Sequence, residues 1–152
     1  MTKKAKLMIK RICICTSASF YRQALEVEKE LKDLGFKVAV PSTATVMRKT
    51  GDFNVSTYKN WYKDPKNYNR KAYLMKNHFN KIMKSDIVLI VNLKKNGLDG
   101  YIGGNTIMEL AIAFLNKKPI YILNKVSKQS PNYEEILGVK PKFIDGDLTK
   151  IK

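Results

Sequence analysis

The stretch SDIVLIVNLKKNGLDGYIGGNTIMELAIAF, residues 85–114, decides the fold. Ile87–Val91 is an unbroken apolar run of mostly β-branched residues. Such a run suits a central parallel strand covered on both faces, because a strand with one wet face alternates. Asn92–Gly104 then holds four glycines and reads as a loop. A helix begins at Asn105 or Thr106 and carries Ile107, Leu110, Ala111 and Phe114 at helical spacing. Strand, glycine-bearing loop and helix in succession are half of a βαβ unit.

The rest of the chain extends the pattern in both directions. Toward the C-terminus, Asn116-Lys117-Lys118-Pro119 ends the helix and Ile120–Leu123 reads as a strand. Tyr133–Leu137 reads as a short helix and Lys142–Ile144 as a last short strand. Toward the N-terminus, Tyr68 to Lys84 predicts a helix with Ala72, Met75, Phe79 and Ile82 on one face. Leu7–Ile14 alternates and predicts the first strand. A Thr16–Ser19 turn leads into a helix carrying Phe20, Ala24, Val27, Leu31 and Leu34, with Gly35 as its stop. Phe36–Val40 is a second strand, ended by Pro41. Only Ser42–Lys66 lacks a clear period. It contains Met47, Phe53, Trp61 and Tyr62, so it reads as a lid with at most a short helical turn. Strands alternating with helices imply a single α/β domain over residues 1–152: a mainly parallel sheet of about five strands with helices on both faces.

Composition narrows the class. At 152 residues and 44% hydrophobic content, the chain can bury one core. No apolar run approaches the ~18–20 residues that span a bilayer. The basic start, Met1 to Lys10, is followed by a short apolar stretch broken by Lys10 and Arg11, with no small-residue cleavage site. It reads as no signal peptide, so the expected location is the cytoplasm and no membrane partner is expected. Cys13 and Cys15 lie two apart, so on a strand they share one face. That spacing lacks a second ligand pair, and the expectation is buried small side chains, no metal and no cofactor. The net charge is +16. It suits a nucleic-acid surface, but the cations are mostly Lys and scattered, with arginine only at Arg11, Arg22, Arg48 and Arg70. A positive field also gathers a small anionic ligand such as a nucleotide.

In open parallel sheets, ligands bind beyond the carboxyl ends of the strands where strand order reverses. Two segments fall there. In the first, Ser17 and Ser19 stand at a helix start, where hydroxyls and free backbone N–H groups suit a phosphate or sugar, with Tyr21 and Arg22 in the next turn. In the second, Gly100, Gly103 and Gly104 flank Tyr101, followed by Asn105 and Glu109 on one helical face. Glu109 is the single ionisable residue between Asn105 and Leu115. A lone acid on an apolar helix is costly if buried, so it needs a partner or a task. His78, the one histidine, lies on the helix before the central strand, and Asp86 bounds that strand.

These residues resemble the nucleoside 2-deoxyribosyltransferase-like superfamily, which includes the deoxynucleoside 5′-monophosphate N-glycosidases. The similarity covers most of the chain in layout. It is specific in the turn Cys15-Thr16-Ser17-Ala18-Ser19-Phe20, and in Ser85–Ile90 with Gly103-Gly104-Asn105-Thr106-Ile107-Met108-Glu109. The Tyr-Ile-Gly-Gly-Asn run is closest to uncharacterised members. The resemblance implies a flavodoxin-like doubly wound sheet and a homodimer or larger homo-oligomer. It places Glu109 on the catalytic carboxylate, which attacks C1′ of the sugar with loss of the base. Water as second acceptor gives a hydrolase, and a second base gives a transferase. Ser17 and Ser19 would face the 5′ end or its phosphate. Tyr21 would support the nucleophile. His78 stands at or near the position where the superfamily carries an acid that protonates the leaving base. Trp61 and Tyr62 would stack on a base or join a subunit contact. Two other functions fit the sequence: a non-catalytic nucleotide-binding or sensor protein of the same fold, and a basic nucleic-acid-binding domain.

Overall fold

The computed structural model describes residues 8–152. Leu7 and the basic residues before it lie outside the described residues. Five strands form one sheet: β1 (Arg11–Thr16), β2 (Lys37–Ala39), β3 (Ile87–Val91), β4 (Ile120–Ile122) and β5 (Lys142–Phe143). All are parallel, in the order β2-β1-β3-β4-β5. That is the flavodoxin-like doubly wound order, which reverses between β1 and β3.

The pleat explains the two-sided core. Along β1 and β3, Ile12, Ile14, Ile87, Leu89 and Val91 face one side with Ala24 and Leu31 of α1 (Tyr21–Asp33). Cys13, Cys15, Val88 and Ile90 face the other. There they meet Ile82 of α4 (Tyr68–Met83) and Leu110 and Ala113 of α5 (Gly104–Leu115). Every residue of β3 is buried, as its unbroken apolar run predicts. Each large side chain so buried stabilises the fold by roughly 1.5–3 kcal/mol. Asp86 bounds the sheet: its Oδ2 accepts from Arg11 N at 2.8 Å.

Two expectations change. The first strand runs from Arg11 to Thr16 rather than over Leu7–Ile14: Met8, Ile9 and Lys10 are exposed and outside the strand, while Cys15 and Thr16 pair with Ile90 and Val91. The Thr16 hydroxyl also donates to the Val91 carbonyl. The aperiodic Ser42–Lys66 segment is mostly ordered structure. It holds α2 (Ser42–Thr50), α3 (Val55–Tyr58) and two 3₁₀ turns, Trp61–Lys63 and Pro65–Asn67. Helix α2 buries Ala44 and Met47, three apart, and Gly51 ends it at φ 74° by donating to the Met47 carbonyl. Its three threonines and Val46 obscured that short period. Arg48 on α2 pairs with Glu28 on α1 at 2.6 Å. The tail adds α6 (Tyr133–Gly138). Among the described residues, no helix is long and apolar enough to cross a membrane.

Candidate functional site

The segments after β1 and β3 meet at the point where strand order reverses, and a cleft of about 180 Å³ opens there. Ser17, Tyr21, Trp61, His78, Tyr101, Gly103, Gly104, Asn105 and Glu109 all line it. Ser19 and Arg22 do not. Ser19 is exposed and accepts a hydrogen bond from Lys95 Nζ at 2.8 Å. Arg22 is exposed and its guanidinium lies 4.1 Å from the centre of the Phe53 ring. Both therefore brace the cleft's surroundings. The folding of residues 42–66 places Trp61 on the wall, together with Tyr58 and Lys59.

Glu109 is 3% exposed. It stands on the second turn of α5, on the face that also buries Thr106, Leu110 and Ala113. Asn105, one turn earlier, donates from Nδ2 to Glu109 Oε1 at 3.1 Å. Among the described residues, Glu109 Oε2 has no hydrogen-bond donor, and it lies 3.9 Å from His78 Nε2. Burial pushes the carboxyl up to about 7, against the opposing pull of the His78 charge. His78 is 5% exposed, on α4. Burial alone would lower its basicity. The contact with Cys13 and the charge of Glu109 outweigh that and raise it. The same Nε2 lies 3.6 Å from Cys13 Sγ and 3.5 Å from Cys15 Sγ, while Nδ1 has no partner among the described residues. The two thiols diverge. Hydrogen bonding to Cys15, with His78 beside it, draws Cys13 down to about 5 despite burial. Burial drives Cys15 upward. Burial and the nearby Glu109 charge keep the Tyr21 phenol protonated.

The loop after β3 is held in a fixed shape. Gly100 has φ 61°, and a Cβ there would meet the Lys125 carbonyl oxygen at 2.0 Å. Only glycine fits that close approach. Asn92, fully buried, donates from Nδ2 to the Gly100 and Asn124 carbonyls at 3.1 and 2.9 Å. Asn124 returns two bonds, N to Asn92 Oδ1 at 3.0 Å and Nδ2 to the Asn92 carbonyl at 2.7 Å. This clamp ties the loops after β3 and β4 together and carries Tyr101 to the cleft.

Sequence reasoning missed the cations. Lys59, Lys71 and Lys95 come from three separate segments and all line the cleft. Lys59 loses basicity through burial and through the charges of Lys71 and Lys95. Among the described residues, none of the three makes an ion pair. Two rest on aromatic faces: Lys71 Nζ lies 5.2 Å from the Trp61 ring centre and Lys95 Nζ 5.2 Å from that of Tyr101. Their distance apart in sequence hid the cluster, and the only trace was the overall positive charge.

No protein-family model matches the chain, and no curated protein sequence matches it. Among solved structures, the chain is similar to a 2-deoxyribosyltransferase from the psychrotolerant bacterium Bacillus psychrosaccharolyticus. The identity is 19%, the match covers 74% of this chain and 71% of that one, and the TM-score is 0.49.

Proposed function

We propose that the protein cleaves or transfers at the N-glycosidic bond of a nucleoside or its 5′-monophosphate, with Glu109 as nucleophile. The observation that carries this reading is a buried carboxylate in the wall of a cleft at the switch point, with one oxygen held by Asn105 and the other without a donor among the described residues. A buried carboxylate is costly to leave so poorly paired unless a reacting centre takes its place among the partners.

In the proposed reaction, ionised Glu109 attacks C1′ of the sugar as the C1′–N bond breaks, giving an ester-linked sugar on the carboxylate. The leaving base departs with the bond's electron pair and takes up a proton. His78 Nε2 lies 3.9 Å from Glu109 Oε2, and its basicity, raised despite burial by the contact with Cys13 and the charge of Glu109, suits it to give that proton. Water or a second base then attacks C1′ and releases Glu109. Tyr21, still protonated, serves as a hydrogen-bond donor in the same cleft. Gly103, Gly104 and Asn105 form the cradle at the start of α5, and Trp61 and Tyr101 offer ring faces to a base. Lys59, Lys71 and Lys95, near Ser17, make the cleft attractive to a 5′-phosphate.

Rapid quenching followed by intact-mass measurement tests the covalent route. The expected result is one sugar or sugar-phosphate adduct per chain, mapped to the Glu109 peptide. Base release with no adduct at any quench time would contradict it. A second reading, a nucleotide-binding protein without turnover, is favoured by the turning of His78 Nε2 toward two thiols. Calorimetry that finds a tightly bound, uncleaved nucleotide would select it. The exposed apolar residues Met108, Phe114 and Leu115 on α5 support a homo-oligomer built on that helix.

A further inference from the structure

Cys13, Cys15 and His78 are all buried, and their Sγ and Nε2 atoms lie within 4.8 Å of one another. The reaction proposed above uses neither thiol. Two elements bring the donors together. The pleat of β1 points both cysteines to the α4 face, and the fourth turn of α4 places His78 over them. A local sequence motif would not reveal this set, since its members are 63 and 65 residues apart.

The distances have the dimensions of a metal site. Zinc–sulfur and zinc–nitrogen bonds at a tetrahedral angle separate the two ligand atoms by about 3.5 Å. Here the two sulfurs lie 3.6 and 3.5 Å from Nε2. Glu109 Oε2 lies 3.9 Å from the same nitrogen and has no hydrogen-bond partner among the described residues; it stands outside the 4.8 Å group of Cys13, Cys15 and His78, so its side chain must move to reach the fourth corner. His78 and Glu109 line the cleft, which gives an ion a path to the buried sulfurs.

We propose that Cys13, Cys15 and His78 bind one thiophilic divalent ion of the zinc class, with the Glu109 carboxylate as fourth ligand. Two thiolates, an imidazole and a carboxylate are a donor set that favours tetrahedral zinc over magnesium or calcium. Binding exchanges the thiol protons for the ion, with no change of oxidation state. The loaded form engages the carboxylate that the proposed reaction needs. Resting on that reading, zinc would act as an off-switch.

Cobalt(II) titration of the reduced full-length chain tests the site without reference to activity. The expected result is one equivalent bound, with intense thiolate-to-cobalt charge-transfer absorption and tetrahedral ligand-field bands that zinc abolishes. Cys13→Ala and Cys15→Ala should each weaken the charge-transfer band, and the double variant should lose it, with far-UV circular dichroism reporting that the fold persists. Octahedral cobalt spectra or no thiolate band in the wild-type chain would overturn the proposal whether or not the variants fold. So would cobalt binding that the folded double variant retains unchanged. Failure of the glycosidic reading would leave the cobalt spectrum as predicted, and failure of the metal site would leave base release insensitive to zinc.

Discussion

Asn105 Nδ2 holds Glu109 Oε1 at 3.1 Å across one turn of α5, so one carboxylate oxygen is fixed and the other is left open toward His78. The pair is set by helical geometry: residues four apart lie one above the other on the same face. Removing the amide leaves Glu109 Oε1 without the donor that holds it. Asn105→Ala should lower kcat by roughly 10- to 100-fold, the kinetic equivalent of losing about 1.5–3 kcal/mol from a hydrogen bond to a charged group. Steady-state kinetics on a cleaved nucleoside checks this, with KM expected to move less than kcat.

The acidity of Glu109 gives a pH signature in the metal-free, chelator-treated protein. Burial raises the carboxyl to about 7, so the nucleophile is protonated below that pH. The acid limb of kcat/KM should therefore rise with a midpoint near 7 rather than near 4.5. The stability consequence has the opposite sign. A carboxyl whose pKa is raised on folding favours the protonated native state, so stability is lost as pH climbs from the unfolded toward the folded value. Glu109→Gln removes that cost. Chemical denaturation at pH 8 should find the variant more stable than wild type, by an amount of order 1–3 kcal/mol.

The three lysines predict a preference for phosphate. A nucleoside 5′-monophosphate should raise the melting temperature more than the matching nucleoside at equal concentration, because a tighter ligand stabilises the native state further by mass action. Lys59→Ala should weaken nucleotide binding by roughly 10-fold and leave nucleoside binding nearly unchanged, in line with loss of one charge-assisted contact. Equal shifts from nucleoside and nucleotide would contradict the lysine assignment.

Gly100→Ala tests the loop clamp. The added methyl group would run into the Lys125 carbonyl at a backbone φ of 61°, which side chains rarely adopt. Strain and displacement together should cost about 1–3 kcal/mol in thermal or denaturant unfolding. Because Tyr101 follows directly, substrate binding should weaken as well.

The sequence made the sheet readable because β3 is apolar throughout and the helices repeat every three to four residues. The strand from Ile87 to Val91 has the limits that its composition predicts. Glu109 stood out because it is the one charge on an apolar helix, and burial was the costly outcome that made it worth noticing. What stayed hidden depends on contacts between distant segments. The convergence of Lys59, Lys71 and Lys95, the Asn92–Asn124 clamp and the placement of His78 over Cys13 and Cys15 have no local period. Helix α2 escaped notice because Thr43, Thr45, Val46 and Thr50 favour extended backbone, while the burial of Ala44 and Met47 and the Gly51 stop decide for helix.

Glu109 as the nucleophile of an N-glycosidic reaction can be tested directly. The most direct measurement is release of free base from a panel of nucleosides and 5′-monophosphates, by wild type and by Glu109→Ala, with nucleotide binding checked in both. The expected result is release by the wild type on at least one member of the panel, and loss of that release by roughly three orders of magnitude or more in a folded Glu109→Ala variant. Equal release by both proteins, or none from the wild type on any member, would contradict it.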